Sequence, residues 1–267
     1  MNYLNRAAAP FDERVWQIID EAVVGAASGR LIGRRFIDVE GPFGLGFTAV
    51  DGEAEVSAAT GERPALLTVR PLAVPAFYQD FPLALRGIEA FETLGQPLNI
   101  GAAVRASLAC ASLEDDLIFL GNPKLGIEGL LTAAGRAEVP LADWSQLGQP
   151  FKNIGQAIAK LDDKGFPGPY VLAVAPDLYS SLHLMYEASG VMQIEQVRGL
   201  VTGGIFKTPA IAKGGVLIAT GKQLRLFLGQ DLATGYRRLE GLFHWLFVSE
   251  SMLLRIYAPE AICVLKG

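Results

Sequence analysis

The first thirty residues carry one apolar stripe at helical spacing. Trp16, Ile19, Val23 and Ala26 follow one another at steps of three or four residues. This spacing places the four side chains on one face of an α-helix, and Gly29 is a residue type that commonly ends one. We therefore predict an amphipathic helix that packs this face on a core.

A second long helix is predicted near the middle of the chain. Residues 100–120 form the longest uninterrupted helical pattern, with Val104, Leu108 and Ala111 on one stripe. Gly121 follows, and glycine is common just beyond the last turn of a helix. We expect a long central helix that ends there.

Between these helices the pattern is that of an extended arm. Short strand-like pieces at 47–50 and 55–58 flank Asp51 and Gly52, and a polar turn follows at 60–64. A two-stranded hairpin is only marginally stable alone in water. We therefore expect this arm to pack on a neighbouring subunit.

The second half of the chain alternates helix and strand and then becomes rich in strands. A helix is predicted from about residue 151, a strand at 170–176, and a helix from Asp177, as its N-cap, to about Gly190. Five further strands are predicted, at 216–219, 224–228, 242–248, 253–257 and 262–265. Because strands cluster at the end instead of alternating with helices throughout, the fold class is predicted to be α+β.

The composition is more apolar than the interior of one soluble monomer requires. Of 267 residues, 51% are hydrophobic and 19% are charged, and the mean hydropathy is +0.31. The excess predicts apolar surface buried between subunits. No apolar run reaches the roughly 18 residues of a membrane helix, and residues 1–13 lack the apolar core of a secretory signal. We expect no membrane partner and a cytoplasmic location.

The charge balance disfavours nucleic acid as a partner. The chain has 23 basic and 28 acidic residues, for a net charge of −5. Its basic residues form no tract beyond Arg34–Arg35 and Arg237–Arg238. Binding of phosphate backbones needs a denser basic surface.

Residue types that bind metals occur only in isolation. Cys110 and Cys263 lack metal-site spacing, and we expect small buried hydrophobic residues without a disulfide. The acids at 114–116 cannot converge on one ion, because successive helical residues point about 100° apart. A solvated or interface-paired acidic patch is predicted there. His183 with Glu187, and His244 with Glu240, could share a helix face, but each pair lacks further ligands.

The sequence also gives no support for an enzyme. The glycines of GPFGLG at 41–46 depart from the spacing of dinucleotide loops. None of the serines lies in a G-x-S-x-G motif, and two histidines leave few options for a catalytic triad. We predict no catalytic residues, no metal and no cofactor.

Taken in order, the motifs resemble those of type 1 encapsulins, shell proteins related to the Hong Kong 97 phage capsid fold. After the Trp16 helix come GRRFIDVEGPFG (33–44), EDDLIFLG (114–121), GIEGLL (126–131), GPYVLAVAPDLYSSL (168–182), GQDLATGY (229–236) and PEAICVL (259–265). Each motif alone is weak, and the seven together in this order are specific.

The resemblance implies a capsid-like division of the chain. It implies an N-terminal helix and part of a peripheral domain at 1–44, an extended arm (E-loop) at 45–75, and the peripheral domain with its spine helix at 76–135. An axial domain at 136–221 and closing strands at 222–267 complete the division.

The resemblance further implies a docking groove for cargo. Family shells capture an enzyme through a short Gly-Leu-rich tail on that enzyme. The matching positions here are Leu31, Arg34, Asp38, Asp231 and Leu232. An ion pair between Arg34 and Asp38 that only stabilises the fold is the alternative, since such pairs are common.

The implied partners are other copies of this chain and a cargo protein. Copies would close an icosahedron of roughly sixty subunits or a multiple, around a redox or iron-handling enzyme such as a dye-decolorizing peroxidase or a ferritin-like protein. A pore would be bordered by Gly190, Met192, Gln193 and Glu195. Some relatives bind a flavin near a Trp, but the matching segment 81–88 has none.

Two other classes of function stay open on the sequence alone. A prophage major capsid protein would share the fold and package DNA. A small-molecule enzyme would rest only on the glycine clusters and the isolated His–Glu pairs.

Overall fold

The computed structural model of the chain describes residues 3–57, 66–186 and 190–267. The chain forms two compact units, and both are discontinuous in sequence. The first unit comprises Met1–Ala26, Gly41–Cys110 and Phe227–Leu253. The second unit comprises Ala27–Glu40, Ala111–Leu226 and Leu254–Gly267. The capsid-like division into five segments stays a prediction.

The helices include the two long ones predicted from periodicity. They are α1 (Glu13–Arg30), α2 (Leu85–Leu94), α3 (Gly101–Phe119), α4 (Gln149–Asp162), α5 (Pro176–Ser181) and α6 (Gln193–Arg198). The helix predicted from Asp177 to Gly190 is wrong in both bounds. Proline is favoured in the first helical turn, so α5 begins at Pro176 with Ala175 as its N-cap, and it ends at Ser181.

The strands account for the rest of the regular structure. They are β1 (Val39–Glu40), β2 (Ala49–Ser57), β3 (Leu66–Ala73), β4 (Ala76–Ala84), β5 (Gly121–Asn122), β6 (Ile127–Glu128), β7 (Ala137–Pro140), β8 (Tyr170–Val174), β9 (Gly204–Lys207), β10 (Gly215–Ala219), β11 (Leu224–Glu240), β12 (Phe243–Ile256) and β13 (Ile262–Lys266). The strands predicted at 242–248 and 253–257 are parts of one continuous strand, β12. The mixture of helices and sheets agrees with the α+β prediction.

In the first unit, α1 packs its apolar stripe on strands β4 and β12. Trp16, Ile19 and Val23 are buried in one cluster with Phe81 and Leu246, whereas Ala26 is half-buried. Strands β11, β12 and β4 are neighbours in that order in one sheet. The amphipathic helix predicted at the N-terminus is confirmed.

The arm is an antiparallel pair of strands, as predicted, but the two pieces predicted at 47–50 and 55–58 fall largely on one strand, β2, which pairs with β3. Ala49 pairs with Ala73 and Ser57 with Leu66, with a bulge between Asp51 and Ala54. Because a Cβ at Gly52 would lie 2.0 Å from the carbonyl oxygen of Arg70, the bulge requires glycine there. The expected polar turn at 60–64 lies outside the described residues.

The second unit is built on a five-stranded sheet in the order β7-β13-β10-β8-β9. Helix α4 packs Ile154, Ala157 and Leu161 into its core beside Trp144. Cys263 in this core and Cys110 in the first unit are both free and buried, as predicted.

Candidate functional site

The turn after α1 is anchored by a buried carboxylate of α3. The Oδ1 atom of Asp115 accepts the N–H groups of Ile32 and Gly33 at 3.1 Å each, and Asp115 is 0% exposed. The close approach depends on a glycine, since a Cβ at Gly33 would lie 2.5 Å from Cδ1 of Ile118. Residues 33–35 then form one turn of 3₁₀-helix.

The neighbouring carboxylate fixes the first arginine of this turn. Arg34 donates from Nε to Oε1 of Glu114 at 2.9 Å and from Nη2 to Oε2 at 2.8 Å. Glu114 is 0% exposed and the Arg34 side chain is 18% exposed. A buried carboxylate requires such compensation, because leaving water is costly for a charge.

The prediction of a solvated or interface-paired acidic patch at 114–116 is therefore wrong for two of the three acids. Glu114 and Asp115 point into the second unit and hold residues 32–34. Asp116 is half-buried. Arg34 forms a fold-stabilising ion pair with Glu114, 80 positions away.

The burial of Asp115 alters its acidity. Desolvation raises the pKa of this carboxyl from 3.8 to about 6. The hydrogen bonds from Gly33 and Ile32 favour the charged form and lower the pKa, and the charge of Glu114 raises it. Burial has the largest effect.

Asp38 and Leu31 lie at opposite extremes of exposure. Asp38 is exposed, its backbone oxygen accepts the N–H of Leu226 at 2.9 Å, and its residue borders a cavity of about 250 Å³ together with Phe36 and Thr220. The side chain of Leu31 is buried at 8% exposure. Of these two, only Asp38 has a side chain that a binding partner can reach.

Asp231 and Leu232 lie on β11 in the first unit, whereas Leu31, Arg34 and Asp38 lie in the second. Asp231 is exposed, and its Oδ1 accepts the N–H of Leu232 at 2.8 Å. Leu232 is half-buried against the core of the first unit. The predicted docking residues of the second unit thus present the exposed carboxylate of Asp38, and those of the first unit present that of Asp231.

The four residues predicted to border a pore differ in what they expose. Gln193 is 1% exposed, because its Oε1 accepts the N–H of Gly148 at 2.8 Å and its Nε2 donates to the carbonyl of Ser181 at 3.1 Å. Gly190 and Met192 are exposed. Glu195 is exposed and forms an ion pair with Arg198. The side chain of Gln193 therefore links the backbone at Gly148 and Ser181 and does not face a surface.

The His–Glu pairs considered as ligands do not share helix faces. His244 lies on β12 and Glu240 ends β11. His244 is buried beside the hydroxyl of Tyr236, 3.2 Å from its Nδ1, and burial lowers the pKa of its imidazole. His183 lies beyond the end of α5. Glu187 falls outside the described residues.

The described residues contain no group of three or more His, Cys, Asp or Glu side chains placed to hold a metal ion. Within the same parts of the chain, no helix is long and apolar enough to cross a membrane.

Sequence reasoning missed the roles of Glu114 and Asp115. Both were visible as acids next to a predicted helix end, but their partners are more than 75 positions away in the chain. Three consecutive acids within an otherwise apolar helical stretch were the available signal, because a helix that packs on both sides buries some of them.

The chain is similar to one protein-family model and to several known proteins. A family model, Linocin M18, described as "encapsulating protein for peroxidase", matches residues 1–253. The type 1 encapsulin shell protein EncA of Myxococcus xanthus is 38% identical over 283 aligned residues, which cover 100% of this chain and 97% of the relative. A diheme-cytochrome-encapsulin shell fusion protein of Kuenenia stuttgartiensis is 34% identical, over 94% of this chain and 72% of that protein.

Solved structures show the same fold at lower identity. A virus-like particle from Pyrococcus furiosus matches with a TM-score of 0.74 and 20% identity, over 94% of this chain and 99% of that one. The capsid of Myoviridae phage XM1 matches with a TM-score of 0.60 and 14% identity, over 86% and 89% of the two chains. The predicted Hong Kong 97-like capsid fold is confirmed. With the family model spanning most of the sequence, this chain belongs to the type 1 encapsulin shell proteins.

Proposed function

We propose that copies of this chain assemble into an icosahedral shell of roughly sixty subunits or a multiple, and that the shell encloses a cargo enzyme. The family description and the names of the relatives support this proposal. The arm supports it as well, since Leu67 and Val69 are exposed at 67% and 42%. Side chains of this kind gain from burial on another subunit.

The cargo enzyme is proposed to dock through a short peptide at its own C-terminus. The observation that carries this proposal is the anchored turn at 33–35, where Asp115 and Glu114 fix the backbone and Arg34. A rigid surface loses little conformational entropy when a flexible peptide binds. The proposed contacts are Arg34 and the exposed carboxylate of Asp38.

In the first unit, the proposed contacts are Asp231 and Leu232. Leu232 is half-buried, so an apolar side chain of the peptide would complete its coverage. One buried leucine contributes roughly 1.5 to 3 kcal/mol. Such weak docking is sufficient when an oligomeric cargo presents several tails to many identical sites. Leu31 is already buried and acts as a support in this proposal.

The proposed pore is bordered by Gly190, Met192 and Glu195, with Gln193 as the residue that links the nearby backbone at Gly148 and Ser181.

A peroxidase is the first candidate cargo, since the family description names one, and a ferritin-like protein is the second. The role proposed for the chain itself is structural. The cytoplasmic location stays a prediction from the sequence.

The test compares the protein content of purified shells. We expect Asp38→Ala and Asp231→Ala to lower the ratio of co-purified cargo to shell protein, measured by mass spectrometry, while electron microscopy shows intact particles. Asp163→Ala, an exposed aspartate elsewhere in the second unit, is the matched control. Unchanged cargo in both variants would contradict the docking assignment.

Arg34 needs a paired substitution, because removal of its side chain alone leaves Glu114 buried without a cation. The double variant Arg34→Met with Glu114→Leu keeps the site apolar and removes the docking cation. We expect intact but emptier shells, with Arg86→Ala, an exposed arginine of the first unit, as the control. A monomer or a DNA-filled particle in the wild type would contradict the shell proposal itself.

A further inference from the structure

The second unit contains a cavity of about 410 Å³ that plays no part in the docking proposal. It lies beside the edge strand β9, next to the end of α1 and the turn at 33–35. Its lining combines basic and apolar side chains, among them Arg30, Arg35, Lys207, Tyr179, Ile205 and Phe206. Cavities of this size are typical of small-molecule sites.

The cations of this cavity are available to an anion. None of the residues that line it is acidic, although the chain as a whole carries a net charge of −5. Lys207 holds its Nζ 5.6 Å from the ring centroid of Tyr179, and Arg35 donates from Nη2 to the carbonyl of Gly29 at 3.2 Å. Within the described parts of the chain, neither has a carboxylate within the 4.0 Å of an ion pair.

Arg30 adds charge at a fixed position. Its Nε donates to the hydroxyl of Ser112 at 3.2 Å, and its Nη1 lies 3.6 Å from Asp115. These contacts fix the guanidinium of Arg30, and Arg30 still borders the cavity. A partly satisfied arginine in a cavity that two available cations also line favours a compact, multiply charged anion, since several charge-assisted hydrogen bonds can then reach it.

The apolar side of the cavity presents aromatic rings. Phe206 is fixed by Phe36, whose ring centroid lies 5.5 Å away. A second cavity of about 400 Å³ shares Tyr179, Ile205 and Phe206 with the first. These side chains therefore line both cavities, and the second cavity is also bordered by a basic residue, Arg198. A planar ring that stacks on Phe206 or Tyr179 would place a substituent among the cations.

We propose that this cavity binds a small molecule that carries a phosphate group on a planar ring system. The phosphate would lie among Arg35, Lys207 and Arg30, and the ring would pack on Phe206 and Tyr179. A nucleic acid strand is a poorer fit, because strand binding uses a basic surface that extends over many phosphates. The proposal is independent of cargo docking, since it uses neither Asp38 nor Asp231.

The test titrates intact shells with three probes by isothermal titration calorimetry. Adenosine 5′-monophosphate carries both a ring and a phosphate, adenosine carries only the ring, and inorganic phosphate carries only the anion. We expect the monophosphate to bind most tightly, at least tenfold above either of the others, because a charged hydrogen bond and ring packing each contribute roughly a factor of ten. Equal heats for all three probes, or none, would overturn the proposal.

Variants assign the binding to this cavity. Lys207→Gln and Arg35→Gln should each lower the affinity for the monophosphate about tenfold, and Lys124→Gln, an exposed lysine of the same unit, should leave it unchanged. Phe206→Leu should weaken the monophosphate and leave inorganic phosphate unaffected. An equal loss in Lys124→Gln would show general attraction of anions and overturn the assignment.

Two further outcomes are decisive. If Arg35→Gln does not assemble, Lys207→Gln carries the test, since Lys207 is exposed and its loss leaves the core intact. A tetraglutamate peptide that displaces the monophosphate at equal concentration would overturn the small-molecule assignment in favour of an acidic protein segment.

Discussion

At the scale of single residues, two adjacent acids of α3 act on one turn in different ways. Glu114 neutralises Arg34 through two short hydrogen bonds, whereas Asp115 accepts backbone N–H groups from Ile32 and Gly33. Both carboxylates are fully buried. A buried carboxylate is stable as a charged group only because hydrogen-bond donors contact it. Removing the charge of either member of the Arg34–Glu114 pair therefore leaves the other buried without a charged partner.

Glu114→Gln should lower the free energy of unfolding by about 2 to 4 kcal/mol, because Arg34 loses its charged partner in a largely buried site. The measurement is the shift in the urea midpoint at pH 7. Glu89→Gln, an exposed acid on α2, should change it by less than about 0.5 kcal/mol. Equal effects of the two variants would show that the buried pair contributes nothing.

Asp115 should leave a signature in the pH dependence of stability. Its pKa in the folded chain is about 6 against an ordinary 3.8, so the folded chain holds a proton that the unfolded chain has released. This favours folding fully below about pH 4, and the contribution is lost as the pH rises to about 6. Asp115→Asn does not titrate and lacks this loss.

The measurement follows urea unfolding of both proteins between pH 4 and pH 6. We expect the wild type to lose stability relative to Asp115→Asn as the pH rises through that window. A constant difference between the two proteins would contradict the raised pKa. A constant offset alone reports the ionic contact of Oδ2 with Arg30, which the amide does not keep, while its Oδ1 can still accept the two backbone N–H groups.

These two residues also show where sequence reasoning stops. The helix that carries them was predicted from its periodicity, because local spacing determines which residues share a face. Their burial was not, because the arginine and the N–H groups that compensate them belong to a turn about 80 positions earlier. Compensation over that distance leaves no local pattern that identifies the partners.

At the scale of elements, the turn at 33–35 packs on α3 through a position without a side chain. A Cβ at Gly33 would lie 2.5 Å from Cδ1 and 3.1 Å from Cγ2 of Ile118, which is fully buried. Contact at this distance forces one of the two elements to move. The glycine therefore sets how closely the turn approaches the helix.

Gly33→Ala should destabilise the protein by about 1 to 3 kcal/mol through this overpacking. Ile118→Val removes Cδ1 and should recover about 1 kcal/mol of that loss in the double variant. Gly25→Ala is the control, since a Cβ there meets nothing within 4 Å and alanine favours a helix. Additive effects of Gly33→Ala and Ile118→Val in urea unfolding would contradict the contact.

The elements differ in how well the sequence predicted them. Helices α1 and α3 were both predicted from helical spacing, but only on α1 is the predicted stripe largely buried, since Leu108 of the stripe predicted on α3 is exposed. Strand β12 was predicted in two pieces and only the first five residues of β11 were predicted, since Gly229 and the polar residues at 249–251 are typical of turns. In the fold these positions are paired within sheets, and tertiary pairing overrides such local signals.

At the scale of the whole molecule, the cores of the two units bury only part of the large apolar side chains in the described residues. Each unit has its own buried cluster, built on α1 and on α4 respectively. Large apolar side chains nevertheless stay exposed on the arm strand β3, where Leu67 is 67% exposed and Val69 42%. We expect surface of this kind to contact another molecule.

Assembly should therefore depend on one face of the arm. Side chains alternate between the two faces of a strand, so Leu67 and Val69 share a face and Thr68 lies on the other. In the double variant Leu67→Glu with Val69→Glu, we expect small soluble species in place of large particles by size-exclusion chromatography and electron microscopy. Each lost apolar contact is worth roughly 1.5 to 3 kcal/mol and recurs at every copy in a symmetric shell.

Circular dichroism should be unchanged, because the arm lies outside both clusters, and Thr68→Glu should assemble as the wild type does. Normal particles from the double variant would show that the arm face is not an assembly contact.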